Sequence, residues 1–196
     1  MLVKDFMTPD PTTVAPDRRA DETLELMKKL NFRQCPVVEG GKLVGIVTDR
    51  DIRASLVQGS SLKVGEIMAR DPVTILDYAS VEGAAEIIQK GKFNALPVVS
   101  NKGKLVGILT VNDLLDALLR MLGFHEKPQR LEVQMPEGMS LFDVLQIIQS
   151  NSEKVLSFSA APESRKLYYF WVVNCNFGEI EKALRKMDAK ISTVHS

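Results

Sequence analysis

The sequence predicts an α/β (α+β) protein made of two β-α-β-β-α repeats and a third unit of order β-α-β-β-α-β. Three observations lead to this prediction. A stretch of about 60 residues occurs twice, both copies contain the block KLVGI, and the last third of the chain shows a different order of strand and helix signals. We therefore expect two repeats over residues 1–60 and 61–122, a linker over 123–130, and a separate domain over 131–196.

The duplication is visible in two blocks that lie at the same offset. FMTPDPTTV begins at Phe6 and IMARDPVTI begins at Ile67, which is 61 residues later. PVVEGGKLVGIVTDRDI begins at Pro36 and PVVSNKGKLVGILTVNDL begins at Pro97, again 61 residues later. The second copy then gains one residue in its turn, so the offset is 62 from there on. Two matches in register indicate a tandem duplication.

Each copy shows the same order of local signals. A short apolar extended run is followed by a helix, a hairpin of two apolar strands around a glycine-containing turn, and a closing helix. Asp21 and Ser80 occupy the positions expected for the N-caps of the first helices. One copy alone buries little surface, so we expect the two to share a core with two-fold pseudosymmetry. The predicted strands are 12–15, 36–38 and 42–48 in copy one and 73–76, 97–99 and 104–110 in copy two; the closing helices are 51–57 and 113–122.

The motif G-h-h-T-x-x-D, where h is an apolar residue, ends the hairpin in both copies. Thr48 ends a strand and Asp51 lies in the first turn of the next helix, beside its free N–H groups and the positive end of its dipole. A hydroxyl and a carboxylate at this spacing can hold the two hydroxyls of a ribose, while the helix N-terminus faces a phosphate. The glycine allows a ligand to approach the backbone closely. The same spacing is also a capping box, and the two interpretations are compatible.

These motifs resemble those of a tandem pair of CBS domains, the Bateman module. The resemblance covers residues 1–122, and both copies carry every element, with GIVTDRD at 45–51 and GILTVND at 107–113. It implies a CBS-pair fold that binds AMP, ADP or ATP as a regulatory ligand in the cleft between the repeats, with no other cofactor. The aspartates Asp51 and Asp113 would bind the ribose hydroxyls. Thr48 and Thr110 would bind ribose or phosphate.

The resemblance also implies where the adenine would lie. Apolar residues and backbone groups around the first strand and before the PVV strand would line each adenine pocket. These are Thr13, Val14, Cys35 and Pro36 in copy one, and Thr74, Ile75, Leu96 and Pro97 in copy two.

The two expected sites differ in charge. Copy one has Arg50 inside its motif and Arg33 before its PVV strand, where copy two has Asn112 and Asn94. Arginine suits phosphate because it donates two parallel hydrogen bonds. One hypothesis is that copy one holds the more phosphorylated end of the ligand; the alternative is that both arginines are solvated surface charges.

The last third of the chain predicts a ferredoxin-like fold. An alternating strand at 131–135, a helix capped by Ser140, strands at 155–160 and 167–174, a turn at 162–165, a helix at 177–187 and a final strand at 191–194 give this order. LEVQMPEGMSLFDVLQII, KVLSFSAAP and KLYYFWVVN resemble an ACT domain, with Gly138 at the first turn. Met135 stands where the amino-acid-binding members of that family have an acidic residue. The strand KLYYFWVVN is apolar on both faces, so we expect a dimerisation sheet, with amino-acid sensing as the alternative.

Composition excludes several classes of protein. There are 25 Lys and Arg and 25 Asp and Glu residues, so the net charge of zero gives no overall attraction to nucleic acid or to anionic membranes. No apolar run approaches the length of a membrane span, and Lys4 and Asp5 interrupt any signal peptide, so we expect a cytoplasmic protein. Two cysteines without CxxC spacing and two histidines, His125 and His195, argue against a metal site, a disulfide or an enzyme.

The whole architecture resembles bacterial acetoin-utilisation-type regulators that join a CBS pair to an ACT domain. We therefore expect a regulatory homodimer, formed through both the CBS and the ACT-like domains, that senses an adenine nucleotide and signals to an unidentified protein partner. Two alternatives remain open. One is a structural or dimerisation module with vestigial sites, and the other is a sensor of S-adenosylmethionine or of an amino acid.

Overall fold

The computed structural model describes residues 1–57, 62–164 and 166–194. The predicted boundary between residues 60 and 61, the end of a predicted turn at Arg165, and His195 lie outside these ranges. The chain forms two compact units, Met1–Ala117 and Leu118–Ser196. Within the described ranges, no helix combines the length and the apolar character that crossing a membrane requires.

The first unit contains the two predicted repeats. Each has a helix, an antiparallel hairpin and a second helix in the expected order, which confirms the predicted fold class. Its elements are β1 (Thr8–Pro9), α1 (Ala20–Leu30), β2 (Gln34–Glu39), β3 (Lys42–Thr48), α2 (Asp49–Val57), α3 (Val64–Ile67), β4 (Ala69–Arg70), β5 (Ile75–Leu76), α4 (Val81–Gly91), β6 (Ala95–Val99), β7 (Leu105–Thr110) and α5 (Val111–Met121). The strand expected at 12–15 is reduced to a parallel bridge between Val14 and Val37, whereas its counterpart β5 pairs with β6 as a short parallel strand.

The segment that precedes each repeat in the sequence completes the other repeat in space. We call residues 1–9 the first leader and 62–70 the second leader. In the first leader, β1 pairs with β7 of repeat two, and in the second leader, β4 pairs with β3 of repeat one. The N–H of Val3 donates to the carbonyl of Ala79 at 2.9 Å, and the N–H of Val64 donates to that of Arg18 at 2.8 Å. The two leaders are therefore exchanged between the repeats.

The exchanged leaders also contribute to the two hydrophobic cores. Val3 is fully buried in the core of repeat two, and Val64 is fully buried in the core of repeat one. The core of repeat two also contains Leu96 and Leu109, from the two strands of its hairpin. Each core therefore depends on an apolar residue from the leader that belongs, in sequence, to the other repeat.

The glycines of the repeated KLVGI block lie against methionines of the leaders. A Cβ atom on Gly45 would be 2.4 Å from the Sδ of Met68, and one on Gly107 would be 2.3 Å from the Sδ of Met7. The sequence suggested that these glycines give room to a ligand. The structure corrects that expectation, because a methionine side chain occupies the space that each glycine leaves open.

The helix starts agree with one predicted cap and not with the other. The Oγ of Ser80 accepts a hydrogen bond from the N–H of Gly83, which confirms this residue as the N-cap of α4. The prediction that Asp21 caps α1 is wrong, because the N-cap is Arg19, two residues earlier, and the helix begins at Ala20. The N–H of Ala20 donates to the carbonyl of Leu62 in the second leader at 2.9 Å. The Asp21 carboxylate instead pairs with Arg19 at 2.6 Å, and this hydrogen bond lowers the pKa of Asp21.

The second unit is a single antiparallel sheet with two helices packed against it. After α5 and a 3₁₀ turn at Phe124–Glu126, its strands lie in the order β11-β8-β10-β9, which is the ferredoxin-like arrangement predicted. Ser140 caps α6, as expected, by accepting from the N–H of Phe142. The elements are β8 (Gln129–Gln134), α6 (Leu141–Ser150), β9 (Ser152–Ala160), β10 (Leu167–Cys175), α7 (Phe177–Arg185) and β11 (Lys190–Val194), so the first strand begins inside the predicted linker.

The central strand β10 is apolar on both faces, as the sequence indicated. Phe170 and Val172 are fully buried in the core beneath the helices. On the opposite face, Trp171 is only 8% exposed. Tyr169 meets it edge to face at 6.4 Å, and the guanidinium of Arg130 lies 5.2 Å from the Tyr169 ring. The single chain already buries most of the indole ring, so this face is not an open apolar patch.

Candidate functional site

The T-x-x-D motif of repeat one forms a closed set of hydrogen bonds at the start of α2. The Thr48 hydroxyl donates to Oδ2 of Asp51 at 2.7 Å, and the Thr48 N–H donates to the same oxygen at 3.1 Å. The N–H of Asp51 donates back to Oγ1 of Thr48 at 3.2 Å. This reciprocal pattern is the capping box that the spacing predicted.

Repeat two forms the same set of bonds. The Thr110 hydroxyl donates to Oδ2 of Asp113 at 2.8 Å, the Thr110 N–H donates to it at 2.7 Å, and the Asp113 N–H returns to Oγ1 at 3.3 Å. Both aspartates are half-buried. Among the described residues, the hydrogen bonds of Asp51 and Asp113 use only Oδ2. The second carboxylate oxygen of each therefore remains available as an acceptor, so capping leaves room for a ligand.

The strand pairing brings the predicted site residues of repeat one into neighbouring segments. Gln34 lies opposite Thr48 in the β2-β3 hairpin, so Cys35 and Pro36 follow directly beside the motif. The N–H of Val14 donates to the carbonyl of Pro36 at 3.2 Å. Thr13–Val14, Cys35–Pro36 and Thr48 thus lie on three adjacent segments.

The same arrangement is repeated in repeat two. Ile75 pairs with Val98 across β5 and β6, and Ala95 lies opposite Thr110 across β6 and β7. Thr74 and Ile75, Leu96 and Pro97, and Thr110 therefore follow one another across that sheet. In each repeat the predicted pocket residues and the motif threonine thus lie on three adjacent segments.

Burial divides the predicted adenine-pocket residues into two kinds. Thr13 and Thr74 are exposed and can contact a ligand through their side chains. The other six are buried, so they can offer a ligand mainly backbone groups. These six are Val14, Cys35, Pro36, Ile75, Leu96 and Pro97.

Cys35 is a core thiol rather than a reactive one. Its Sγ donates to the carbonyl of Thr12 at 3.4 Å. Burial raises the pKa of the Cys35 thiol to about 12, and the positive charge of Arg18 opposes that shift. The thiolate, which is the nucleophile, is therefore nearly absent at neutral pH.

We expect Cys35 to resist alkylation in the folded protein. With a pKa of about 12, roughly one thiol in ten thousand is ionised at pH 8. A Cys175→Ser variant, which retains only Cys35, should take up iodoacetamide slowly under native conditions and fully in denaturant, as measured by mass spectrometry. Equal rates in the two conditions would contradict the burial described above.

The helix start also positions the two predicted arginines. The carbonyl of Arg33 accepts a hydrogen bond from the N–H of Asp49 at 3.0 Å, so Arg33 lies beside the first turn of α2. Arg50 is in that turn, and both arginine side chains are exposed. Arg53 differs from them because its Nε lies 3.7 Å from a carboxylate oxygen of Asp49.

Sequence reasoning missed Arg18. Its Nε is buried and has no hydrogen-bond partner among the described residues. Its positive charge opposes the rise in the pKa of the Cys35 thiol. The repeat alignment contained a signal, because Arg18 aligns with Ala79 at the offset of 61. In the described ranges, no group of three His, Cys, Asp or Glu residues is arranged to hold a metal ion.

Comparison with known proteins gives a family match over most of the first unit. The CBS domain family model matches residues 3–58 and 64–120. Among curated relatives, an inosine-5'-monophosphate dehydrogenase from Korarchaeum cryptofilum is 34% identical over 139 residues, which are 71% of this chain but only 28% of that enzyme. The chain thus spans less than a third of the length of this relative.

Several solved structures match 60–65% of the chain at about one-third identity. CBSX2 of Arabidopsis thaliana in complex with AMP is 34% identical, with a TM-score of 0.56 over 61% of this chain and 96% of that one. The CBS domain pair of MJ0100 in complex with 5-methylthioadenosine and S-adenosyl-L-methionine is 32% identical, with a TM-score of 0.57 over 60% and 95%. An AcuB protein from Vibrio cholerae is 32% identical, with a TM-score of 0.58 over 65% and 96%.

Proposed function

The chain belongs to the CBS-domain proteins, and we propose that it is a regulatory sensor that binds an adenine nucleotide at its CBS repeats. The nucleotide, AMP, ADP or ATP, would lie in the cleft between the two repeats. Its binding would change the interaction of the protein with a partner protein or the arrangement of its own oligomer. The observation that carries this proposal is the pair of half-buried aspartates at the two helix starts. Each accepts hydrogen bonds from a threonine at one carboxylate oxygen, and the other oxygen remains available to a ligand.

The solved relatives support an adenosine ligand. CBSX2 was solved with AMP, and the CBS pair of MJ0100 with 5-methylthioadenosine and S-adenosyl-L-methionine. An adenosine group is common to these compounds. We assign the ribose hydroxyls to the free oxygens of Asp51 and Asp113, and the base to the exposed threonines and to backbone groups of the buried segments. Thr48 and Thr110 are held by the capping boxes in positions where they can contact ribose or phosphate.

The leader exchange offers a way for binding to be transmitted. Residues 8–14 run from β1, which pairs with repeat two, to Val14, which bonds to Pro36 of repeat one. On the way, the N–H of Asp10 donates to the carbonyl of Val106 at 3.2 Å. A ligand that contacts Thr13 therefore acts on a segment bonded to both repeats. Differential binding to two arrangements of the repeats would then shift their populations.

We further propose that the protein is a cytoplasmic homodimer formed through both its CBS repeats and its ACT-like second unit, and that it has no catalytic activity. An amino-acid ligand has weaker support. Met135, at the position of the expected acidic residue, is buried, and its N–H donates to the carbonyl of Lys166 at 2.8 Å. Gly138 does adopt the left-handed conformation, with φ +81°, that a tight first turn requires.

A sensor of S-adenosylmethionine is the second candidate, favoured by the MJ0100 complex. Its sulfonium carries a positive charge, whereas Arg33 and Arg50 place positive charge at repeat one. We therefore favour a phosphorylated ligand. The third candidate is a structural module that uses its T-x-x-D motifs only as helix caps.

Thermal denaturation with ligands tests the proposed function. We expect AMP, ADP or ATP to raise the melting temperature of the wild-type protein, because a ligand at 100 times its Kd stabilises by about 2.7 kcal/mol. The double variant Asp51→Asn/Asp113→Asn keeps an amide oxygen for each cap but loses both carboxylates, so it should fold and show no shift. Glu39→Gln, at the exposed far end of β2, is the matched control and should respond like wild type.

Two results would overturn the proposal. One is no shift with any adenosine compound at millimolar concentration. The other is an unchanged shift in the double variant.

A further inference from the structure

The two repeats have the same hydrogen bonds around the start of their closing helices, α2 and α5, and we call this shared arrangement the frame. The N–H of Asp49 donates to the carbonyl of Arg33 at 3.0 Å, and the N–H of Val111 donates to that of Asn94 at 3.2 Å. The capping boxes of the two repeats match bond for bond. Any difference in what the repeats bind must therefore come from the side chains that this frame presents.

The ion pair of Asp49 and Arg53 in repeat one is replaced by Val111 and Leu115 in repeat two, which leaves the net charge of these two positions unchanged. Three further positions lose a positive charge in repeat two. Each is an arginine in repeat one and an uncharged residue in repeat two. The pairs are Arg18 and Ala79, Arg33 and Asn94, and Arg50 and Asn112. Such a one-sided change separates the sites electrostatically while leaving the backbone alike.

Arg33 and Arg50 are placed to bind an anion. Both side chains are exposed, and neither forms an ion pair with another residue in the ranges 1–57, 62–164 and 166–194. The nearby acid Asp49 lies 3.7 Å from Arg53 and is thus partly neutralised by it. Two unpaired guanidinium groups beside a helix N-terminus favour a phosphate group, which accepts parallel hydrogen bonds from arginine.

Arg18 supplies an independent observation. Its Nε is buried and has no hydrogen-bond partner among the described residues, whereas almost all buried polar groups in folded proteins have one. Arg18 follows Val14 by four residues, in a turn where its N–H donates to the carbonyl of Ala15 at 3.2 Å, and its positive charge opposes the rise in the pKa of the Cys35 thiol. A bound anionic ligand would supply the missing partner.

Repeat two presents a surface without these cations. Val111, Asn112 and Asn94 surround the start of α5, and Asp113 carries the one negative charge of its capping box. The nearest lysine in the sequence is Lys92, at the C-cap of α4. A phosphate in this place would meet a carboxylate without a neighbouring arginine, whereas an uncharged 5′ group would meet amide and apolar side chains.

We propose that the two sites have different ligand classes: repeat one takes a 5′-phosphorylated adenosine nucleotide, and repeat two takes an adenosine compound without a 5′ phosphate. Arg18, Arg33 and Arg50 are the specificity-determining residues. This inference rests on the proposed function and refines it by assigning a ligand class to each site.

Exchanging the residues between the repeats tests the inference. In an Asp113→Asn background, which leaves repeat one as the binding site, calorimetry with AMP and with adenosine isolates the contribution of the phosphate. Arg33→Asn/Arg50→Asn should weaken AMP by roughly ten- to a hundredfold, since charge-assisted hydrogen bonds are lost, and adenosine by less than about threefold. Arg18→Ala should also weaken AMP more than adenosine.

The reciprocal exchange is made in an Asp51→Asn background, which leaves repeat two as the binding site. Asn94→Arg/Asn112→Arg should raise the affinity for AMP by about tenfold and leave that for 5-methylthioadenosine nearly unchanged. Lys92→Ala is the matched control and should alter neither affinity. Arg33, Arg50, Lys92, Asn94 and Asn112 are exposed, whereas Arg18, Asp51 and Asp113 are half-buried. An unchanged melting temperature without ligand verifies the fold of each variant.

The outcomes separate the two proposals. If no adenosine compound, AMP and adenosine included, binds the wild-type protein, the proposed function fails and this inference fails with it. If both bind, but the arginine variants weaken them equally or Lys92→Ala removes AMP binding at repeat two, only the inference is overturned.

Discussion

Val3→Asp is expected to unfold repeat two, although Val3 lies at the start of the chain, far in sequence from that repeat. The side chain is fully buried among Ile88, Leu96 and Leu109. A carboxylate there has no described partner for its charge, and burying an unpaired charge costs several kcal/mol, comparable to the whole stability of many domains. Val3→Ala should cost roughly 2 kcal/mol, because it removes two methyl groups and leaves a cavity.

Hydrogen exchange can show where the damage lies. For Val3→Asp, the amides of β6 and β7 should lose protection first. Val64→Asp is the equivalent change in the second leader. In this variant the amides of β2 and β3 should lose protection first, because Val64 is fully buried in the core of repeat one. Lys4→Ala, an exposed neighbour of Val3, should leave both patterns unchanged. If Val3→Asp exposed repeat one before repeat two, the leader exchange would be wrong.

Gly45→Ala is expected to destabilise the first unit by about 1–3 kcal/mol through overpacking. The new Cβ would lie 2.4 Å from the Sδ of Met68 and 3.0 Å from the carbonyl oxygen of Ala69. The methionine can turn away, but the carbonyl belongs to β4, which pairs with β3 at this point. Gly107→Ala should cost less, because the three atoms that its Cβ would meet all belong to the half-exposed side chain of Met7.

A double-mutant cycle checks whether Met68 causes the strain. Met68→Ala alone should cost about 2–5 kcal/mol, since the side chain is buried. Combined with Gly45→Ala, it should cost less than the sum of the two single changes by at least about 0.5 kcal/mol, measured by urea denaturation. Strict additivity would show that the contact between the glycine and the leader carries no strain.

The repeats and the order of their elements could be predicted because both depend on local signals. KLVGI, the apolar alternation and the helix spacing each occupy a few residues, and the duplication displayed them twice. The capping geometry of Thr48 and Asp51 was predictable for the same reason. It depends on two residues three positions apart and on no other part of the chain.

The leader exchange could not be predicted in this way, because it depends on pairing between segments about 100 and 25 residues apart, Thr8 with Ile108 and Gly45 with Arg70. The missed features follow from it. Asp21 is not a cap because the carbonyl of Leu62, from the second leader, reaches the first N–H of α1. Gly45 faces Met68 because the same leader runs across β3.

The candidate site was predictable in part. The aspartates and threonines of the motif lie where the pattern placed them, since a helix start fixes their geometry. Arg18 was missed because its importance lies in the burial of its Nε, which sequence does not reveal. Similarly, the alternation along β10 predicted two apolar faces, but not that the chain itself would bury Trp171.

Each leader completes the neighbouring repeat, so a chain with one repeat could complete its fold only by borrowing a leader from a second copy. Two such chains would form a symmetric dimer by mutual exchange, and their two ligand sites would be identical. Joining the copies into one chain makes the exchange intramolecular, which raises the effective concentration of each leader. It also removes the symmetry constraint, because a substitution then changes one site and not the other. The arginine at position 33 and the asparagine at position 94 show that difference in this chain.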